Sequence, residues 1–191
     1  ARGYMKEAKQ LHGGPLPEFK LTLGGTDTTY RQMGQFLEAA LEAIGMQIEV
    51  EPLDWPTYLE KMRTKSVQLY TSGWIADWPD PENFLQVFYS KNSPWPNSSN
   101  YNNPEFDRLY EQAALMEDGP ERTELYRKAE RIAVDDVVGG FLYHRIWYAM
   151  YHDWIGNLKP NAYYPECSGY GLSKYYKVDV EKRRAYKAKY K

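Results

Sequence analysis

The sequence predicts an α/β fold, a mixed β-sheet flanked by helices, on three observations. Stretches at 19–23, 47–51 and 67–71 alternate apolar and polar residues with the two-residue period of strands. Between the first two, apolar residues recur at helical spacing. The third runs straight into Ser72-Gly73-Trp74-Ile75-Ala76-Asp77-Trp78-Pro79-Asp80-Pro81-Glu82-Asn83-Phe84, a motif placed where a strand ends. In open α/β sheets ligands gather at that carboxyl edge.

The elements follow in order. Ala1 to Leu11 read as the end of a helix, with Tyr4, Ala8 and Leu11 on one face and Gly13-Gly14-Pro15 as the stop. An N-terminal portion with any targeting signal is therefore expected upstream. Phe19-Lys20-Leu21-Thr22-Leu23 is a strand, and Tyr30, Met33, Phe36, Leu37, Ala40, Leu41 and Ile44 mark the inner face of a helix ended by Gly45. Gln47-Ile48-Glu49-Val50-Glu51 is the next strand, closed by Pro52, and a crossover of this length pairs its strands in parallel and right-handed. Asp54 caps a second helix over Tyr58, Leu59 and Met62, and Val67 to Thr71 form the third strand.

Beyond the motif, residues 91–103 make a polar loop with an Asn-x-Ser sequon at Asn97. Asn103 and Pro104 open a helix with Phe106, Leu109, Tyr110 and Ala113 inward. A further helix follows Gly119-Pro120, with Leu125, Ala129 and Ile132 inward, and the aromatic stretch Phe141 to Tyr151 reads as strands despite its poor alternation. There is no internal repeat.

Composition sets limits on function. At 191 residues and 42% apolar content, the chain can bury a sizeable core, and it lacks the run of about 18 apolar residues that would span a bilayer. The single Cys167 permits no internal disulfide and has no cysteine partner for zinc. Residues 174–191 hold eight Lys/Arg against Asp179 and Glu181, +6, which leaves −8 of the total −2 on residues 1–173. The basic tail reads first as a solvated face, and the acidic body argues against a nucleic-acid groove.

Catalytic signatures are missing: the sequence has no Gly-x-Ser-x-Gly elbow, Gly-x-Gly-x-x-Gly or Walker loop. His144 and His152, on one strand, would stand about 26 Å apart, too far to share a metal. Asp77, Asp80 and Glu82 include the two carboxylates a glycosidase needs, but Asp80 and Glu82 sit in Pro-Asp-Pro-Glu and serve as turn and helix caps. Asp77 has two readings. It recognises a cation between the walls of Trp74 and Trp78, or it caps a loop beside two core tryptophans; spacing alone leaves these level.

Gly73 to Phe84, then Tyr101-Asn102-Asn103-Pro104-Glu105-Phe106-Asp107, then Glu121 to Glu130, with Leu53-Asp54-Trp55-Pro56-Thr57-Tyr58-Leu59 upstream, closely resemble the extracellular solute-binding proteins of peptide and nickel ABC transporters. Any one piece is weak evidence, but four in order and spacing are specific. The resemblance covers roughly residues 16–160. It implies a type II periplasmic-binding-protein-like lobe, with 1–15 the end of a truncated helix or linker, 16–160 the C-terminal ligand-binding lobe, and 161–191 a tail returning towards an N-terminal lobe absent from the sequence. In peptide-binding members the aspartate matching Asp77 pairs with the peptide's free α-amino group, and the tryptophans matching Trp55 and Trp74 line the pocket. The sequence departs from the family at Val138-Gly139-Gly140, where proline and aliphatic residues usually precede the last strand.

The expected function is capture of a di- or oligopeptide, without catalysis, cofactor or metal, and its delivery to a membrane permease. An oligosaccharide receptor of the same family is the alternative, and a secreted carboxylate-dependent glycosidase the reading from another class. Expected location is periplasmic or extracellular, free or anchored as a lipoprotein. One lobe alone leaves a solute wet, so this chain is expected to bind weakly and, with its aromatic face uncovered, to self-associate.

Overall fold

The structure, a computed structural model, describes residues 1–144, 146, 148, 150–158 and 176–190. The chain forms two compact units: Ala1–Ile75 with Asp80–Val138, and Ala76–Pro79 with Gly139–Lys191.

The first unit opens with α1 (Arg2–His12), which ends at Gly13 in the left-handed conformation, φ 79°, a geometry that suits glycine. Tyr4 and Leu11, which share one face of it, are exposed. The strands β1 (Phe19–Leu23), β2 (Ile48–Pro52) and β3 (Leu69–Tyr70) form a three-stranded sheet in the order β2-β1-β3, all parallel. Phe19 pairs with Ile48 and Leu23 with Pro52, as the strand-helix-strand reading requires.

The crossover from β1 to β2 is α2 (Thr28–Glu42), whose first turn is capped by Asp27 accepting from the amides of Thr29 and Tyr30. Its inner face differs from the expected one. Phe36 and Ala40 are exposed, and Gly34 is the buried residue. A Cβ on Gly34 would stand 2.8 Å from Val50 Cγ1 and 3.0 Å from Leu23 Cδ1, so the helix meets the sheet at its glycine. Phe36 lies about 200° further round the helix and points away. Met33, Leu37 and Leu41 flank the contact and pack with Leu21, Leu23 and Ile48 in one apolar cluster.

The return from β2 is α3 (Trp55–Arg63), capped by Asp54 and burying Tyr58 and Met62. Strand β3 is shorter than the five residues expected. The Lys20 amide on β1 donates to the Gln68 side chain at 2.9 Å, so a side-chain oxygen takes the place of a ladder carbonyl. The Thr71 amide still donates to the Thr22 carbonyl at 3.2 Å, one residue past the assigned end.

Three helices complete the unit: α4 (Pro81–Leu85), α5 (Pro104–Ala114) and α6 (Pro120–Asp135). They share a second core of Leu85, Phe106, Leu109, Tyr110, Ala113, Tyr126, Ala129 and Ala133. In α5 the buried stripe is the one the sequence predicts, with Asn103 capping the amides of Glu105 and Phe106. In α6 it is rotated: Arg122, Tyr126, Ala129 and Ala133 are buried, while Leu125 and Ile132 sit at the flank.

In the second unit β4 (Ile155–Gly156) pairs antiparallel with β5 (Lys177–Val178), so parallel and antiparallel pairings occur in separate sheets. The basic helix α7 (Val180–Lys189) follows, capped by Asp179. His152 stacks on the buried Trp154, with ring centroids 3.8 Å apart, and Tyr186 of α7 meets Trp154 edge-on at 4.8 Å. None of the described residues of Phe141 to Tyr151 is in a strand, and Phe141, Leu142, Tyr143, Ile146, Tyr148 and Met150 are exposed. Strand formation needs a ladder partner, and an aromatic run without strict alternation does not specify one. The separation of His144 and His152 along one strand therefore does not apply. Cys167 lies outside the described residues.

Candidate functional site

The carboxyl edge of the parallel sheet is built from aromatic residues held by specific partners. At the end of β1, Gly24 leaves room for two rings: a Cβ there would come within 3.1 Å of both Trp55 Cζ3 and Tyr58 Cδ1. Trp55 stacks on Tyr58 with centroids 5.3 Å apart and an interplanar angle of 19°. Tyr58 is buried and its hydroxyl donates to the Thr71 carbonyl at 2.8 Å. Burial pushes its phenol up to about 12, so it stays a neutral donor at physiological pH. Trp55 remains 55% exposed. The fold thus lays an open indole face on a fixed base beside two strand ends.

Trp74 comes next, four residues past β3. It is half-buried, and its indole Nε1 donates to Asn83 Oδ1 at 2.8 Å. Asn83 is fully buried in α4, so the indole is oriented by a side chain that cannot swing away. Replacing Asn83 with Leu removes the acceptor at similar volume. Because such a bond contributes about 0.5 to 1.5 kcal/mol, hydrogen exchange at the Trp74 indole N–H should quicken by about three- to tenfold in NMR spectra. Asn83→Asp, which keeps an acceptor oxygen, should restore most of the protection. Unchanged exchange in Asn83→Leu would mean that the indole is held by packing alone.

Helix α4 is itself anchored. Asp80 accepts from the Glu82 amide at 2.8 Å as its cap, which meets the expected turn-and-cap role, and it also receives both terminal nitrogens of Arg122, at 2.7 and 3.0 Å. Arg122 is buried, donates through Nε to the Ala113 carbonyl at 3.1 Å, and lies 4.8 Å from the Tyr126 ring centre. Burial works against the Asp80 charge, but the Arg122 hydrogen bonds, the Glu82 amide and the guanidinium charge together hold its carboxyl below the ordinary value. Burial likewise pushes the Tyr126 phenol up to about 12. Glu82 accepts from the Tyr110 hydroxyl at 3.2 Å. Both carboxylates of Pro-Asp-Pro-Glu thus have hydrogen-bond partners within the protein.

The loop after α4 is also tied down. Asn97 is fully buried, and its Nδ2 donates to the carbonyls of Tyr89 at 3.1 Å and Tyr101 at 2.9 Å. Its own carbonyl accepts from Lys65 Nζ at 2.9 Å. The sequon asparagine is a structural residue, closed to modification in the folded protein. At the far side the Tyr101 hydroxyl donates to Asp136 at 2.6 Å and Asn103 Nδ2 to the same carboxylate oxygen at 2.7 Å.

Of the residues the sequence singles out, Trp55 and Trp74 belong to the first unit, while Asp77 and Trp78 belong to the second. Asp77 is exposed and Trp78 is 43% exposed. Sequence reading misses Asn83, Arg122 and Tyr58 as the residues that hold this edge. The available signal is an asparagine at the start of a short apolar helix, Glu-Asn-Phe-Leu, where a polar residue needs a partner. Among the described residues no group of three or more His, Cys, Asp or Glu could hold a metal, and no helix is long and apolar enough to cross a membrane. A hollow of about 590 Å³ lies elsewhere, between α1 and Ile44; its charged lining, Arg2, Lys6 and Lys9, belongs to one surface helix, and no buried polar group is among its lining residues.

Comparison with known proteins fits this architecture. Residues 1–96 match the family described as bacterial extracellular solute-binding proteins, family 5 Middle. The oligopeptide-binding protein OppA of Bacillus subtilis (strain 168) is 31% identical over 134 residues, 70% of this chain and 24% of that protein. The ABC transporter-associated periplasmic binding protein DppA from Helicobacter pylori, solved in complex with the peptide STSA, aligns with 29% identity and a TM-score of 0.61 over 70% of this chain and 27% of its own. The substrate-binding domain of an oligopeptide ABC transporter from Bacillus anthracis str. Ames, at 22% identity and a TM-score of 0.65 over 72% of this chain and 27% of its own, shares the fold. That fold is of the type II periplasmic-binding kind. The chain spans about a quarter of the length of these proteins.

Proposed function

Because the chain belongs to family 5 of the bacterial extracellular solute-binding proteins, we propose that it forms part of a receptor capturing a di- or oligopeptide for an ABC-transporter permease. Members of this family are binding proteins rather than enzymes. The observation that carries the reading is the aromatic edge itself: Trp55 and Trp74 stand past the carboxyl ends of parallel strands, each indole fixed by a named partner. Open indoles on a rigid base supply contact area with little ordering left to occur on binding. Relatives named as oligopeptide-binding proteins support a peptide as the solute.

In this reading residues 16–160 are the ligand-binding lobe; of the returning tail expected over 161–191, residues 161–175 and 191 lie outside the described residues. Trp55, Trp74 and Trp78 contact the solute, and Asp77 receives the peptide's α-ammonium group. The partners are the peptide, the permease and a second lobe, in the periplasm or at the cell surface. No step requires a cofactor or a metal.

Titration with a free-amine tripeptide and its N-acetylated twin tests the assignment. An ammonium bound by a carboxylate in a partly dry site adds about 1.5 to 3 kcal/mol, so acetylation should weaken binding by roughly ten- to a hundredfold. Equal affinity for the two forms would remove the amine as the recognised group, and tighter binding of a cello-oligosaccharide would turn the assignment to sugars.

A further inference from the structure

We infer that Trp95 is a further ligand-contacting wall beside Trp74, one that selects solutes carrying a flat apolar group; this rests on the solute-binding reading above. Trp95 is 51% exposed, and its ring centre lies 6.0 Å from that of Trp74 at an interplanar angle of 51°. Two indoles in this tilted arrangement form an open corner rather than a closed stack. Trp74 presents one face at an angle fixed by Asn83, and Trp95 presents the other.

What distinguishes Trp95 from an incidental surface tryptophan is the foundation of its loop. Two residues away, Asn97 is fully buried and joins the carbonyls of Tyr89 and Tyr101 through one amide nitrogen. Its carbonyl takes the Lys65 ammonium at 2.9 Å, and its amide donates to the Asn92 carbonyl at 3.2 Å. Asn92 in turn donates from Nδ2 to the Gln86 carbonyl at 3.0 Å. A loop of thirteen mostly polar residues is thus ordered by buried polar bonds, and the large apolar group it carries is left half in water. Binding residues are commonly displayed on loops fixed by a rigid scaffold, and tryptophan is enriched among the few residues that dominate binding energy. The recognised chemistry follows from the corner: two π-faces at about 50° to one another favour a planar apolar group, such as a phenyl or phenol side chain, over a methyl.

The test is an NMR titration of the whole chain with Ala-Phe-Ala, Ala-Ala-Ala and cellotriose, following the indole N–H signals, with that of Trp95 assigned by its loss in Trp95→Ala. The expected result is a shift of the Trp95 signal by Ala-Phe-Ala and a Trp95→Ala affinity for it about tenfold weaker. Ala-Ala-Ala should change less than threefold, and Trp95→Phe should recover most of the loss. Equal weakening for both peptides would make Trp95 a structural prop for Trp74 and overturn the inference, as would no change for either. Binding of cellotriose but neither peptide, with loss in Trp95→Ala, would keep the aromatic wall while overturning the peptide reading. A wild-type chain that binds none of the three overturns both.

Discussion

Arg122→Ala is expected to lower the stability of the first unit by about 3 kcal/mol, measured by chemical denaturation. Breaking a buried ion pair from one side costs about 3 to 5 kcal/mol because the remaining charge loses its partner. The lower end applies, since the Asp80 side chain is 24% exposed and keeps the Glu82 amide. At this chain length that corresponds to roughly 6 to 12 °C in Tm. Asp80→Asn should cost less, about 1.5 kcal/mol, because the asparagine oxygen still caps the helix and Arg122 keeps two other neutral acceptors, the Ala113 carbonyl and the Tyr126 hydroxyl. Acid gives a second comparison of wild type with Asp80→Asn. The Asp80 carboxyl is held below its ordinary value of 3.8, so its contribution is complete above that pH and is lost as pH falls through the depressed value. The stability gap between the two proteins should therefore be constant near neutrality and close below about pH 4. A loss under 1 kcal/mol in Arg122→Ala would make the pair no stronger than a surface salt bridge.

Asp77→Asn is expected to weaken binding of a free-amine peptide by roughly 30-fold, about 2 kcal/mol. Removing one partner of a desolvated ion pair costs about 2 to 5 kcal/mol, and the exposure of Asp77 in this chain places the effect at the lower end. Four combinations, wild type or Asp77→Asn with free or acetylated peptide, give the coupling between carboxylate and ammonium. The acetylated peptide should bind both proteins alike, and thermal melts should show both folded. If Asp77→Asn binds the free-amine peptide within threefold of wild type, Asp77 is a structural residue and the peptide-receptor assignment loses its chemical basis.

The parts of the fold legible in the sequence are those where local pattern and tertiary demand agree. Helix α5 reads correctly because Phe106, Leu109, Tyr110 and Ala113 fall at one helical spacing with a cap before them. The parallel pairing of β1 and β2 follows from the intervening helix alone. Helix α6 misleads because a buried guanidinium counts as surface in any hydropathy pattern, and its partner Asp80 lies 42 residues upstream. Helix α2 misleads for the opposite reason: Gly34, its buried residue at the sheet, has no side chain to register in a pattern. At the site, the tryptophans stand out in the sequence, while Asn83 and Tyr58, which fix them, become visible only when distant segments meet.

The burial of Asn97 also bears on how the protein is produced. Its Nδ2 carries both hydrogens into the interior, yet Asn97-Ser98-Ser99 is a valid acceptor sequence for an oligosaccharide in a eukaryotic secretory pathway. Transfer there takes place on the emerging chain, before the loop has closed. A sugar joined to that nitrogen would replace one of the two hydrogens and could not enter a space where Asn97 has no exposed surface. Secreted from yeast or mammalian cells, the chain would divide into an unmodified fraction that completes the loop and a glycosylated fraction that cannot. A bacterial host without N-linked glycosylation would yield the first fraction alone.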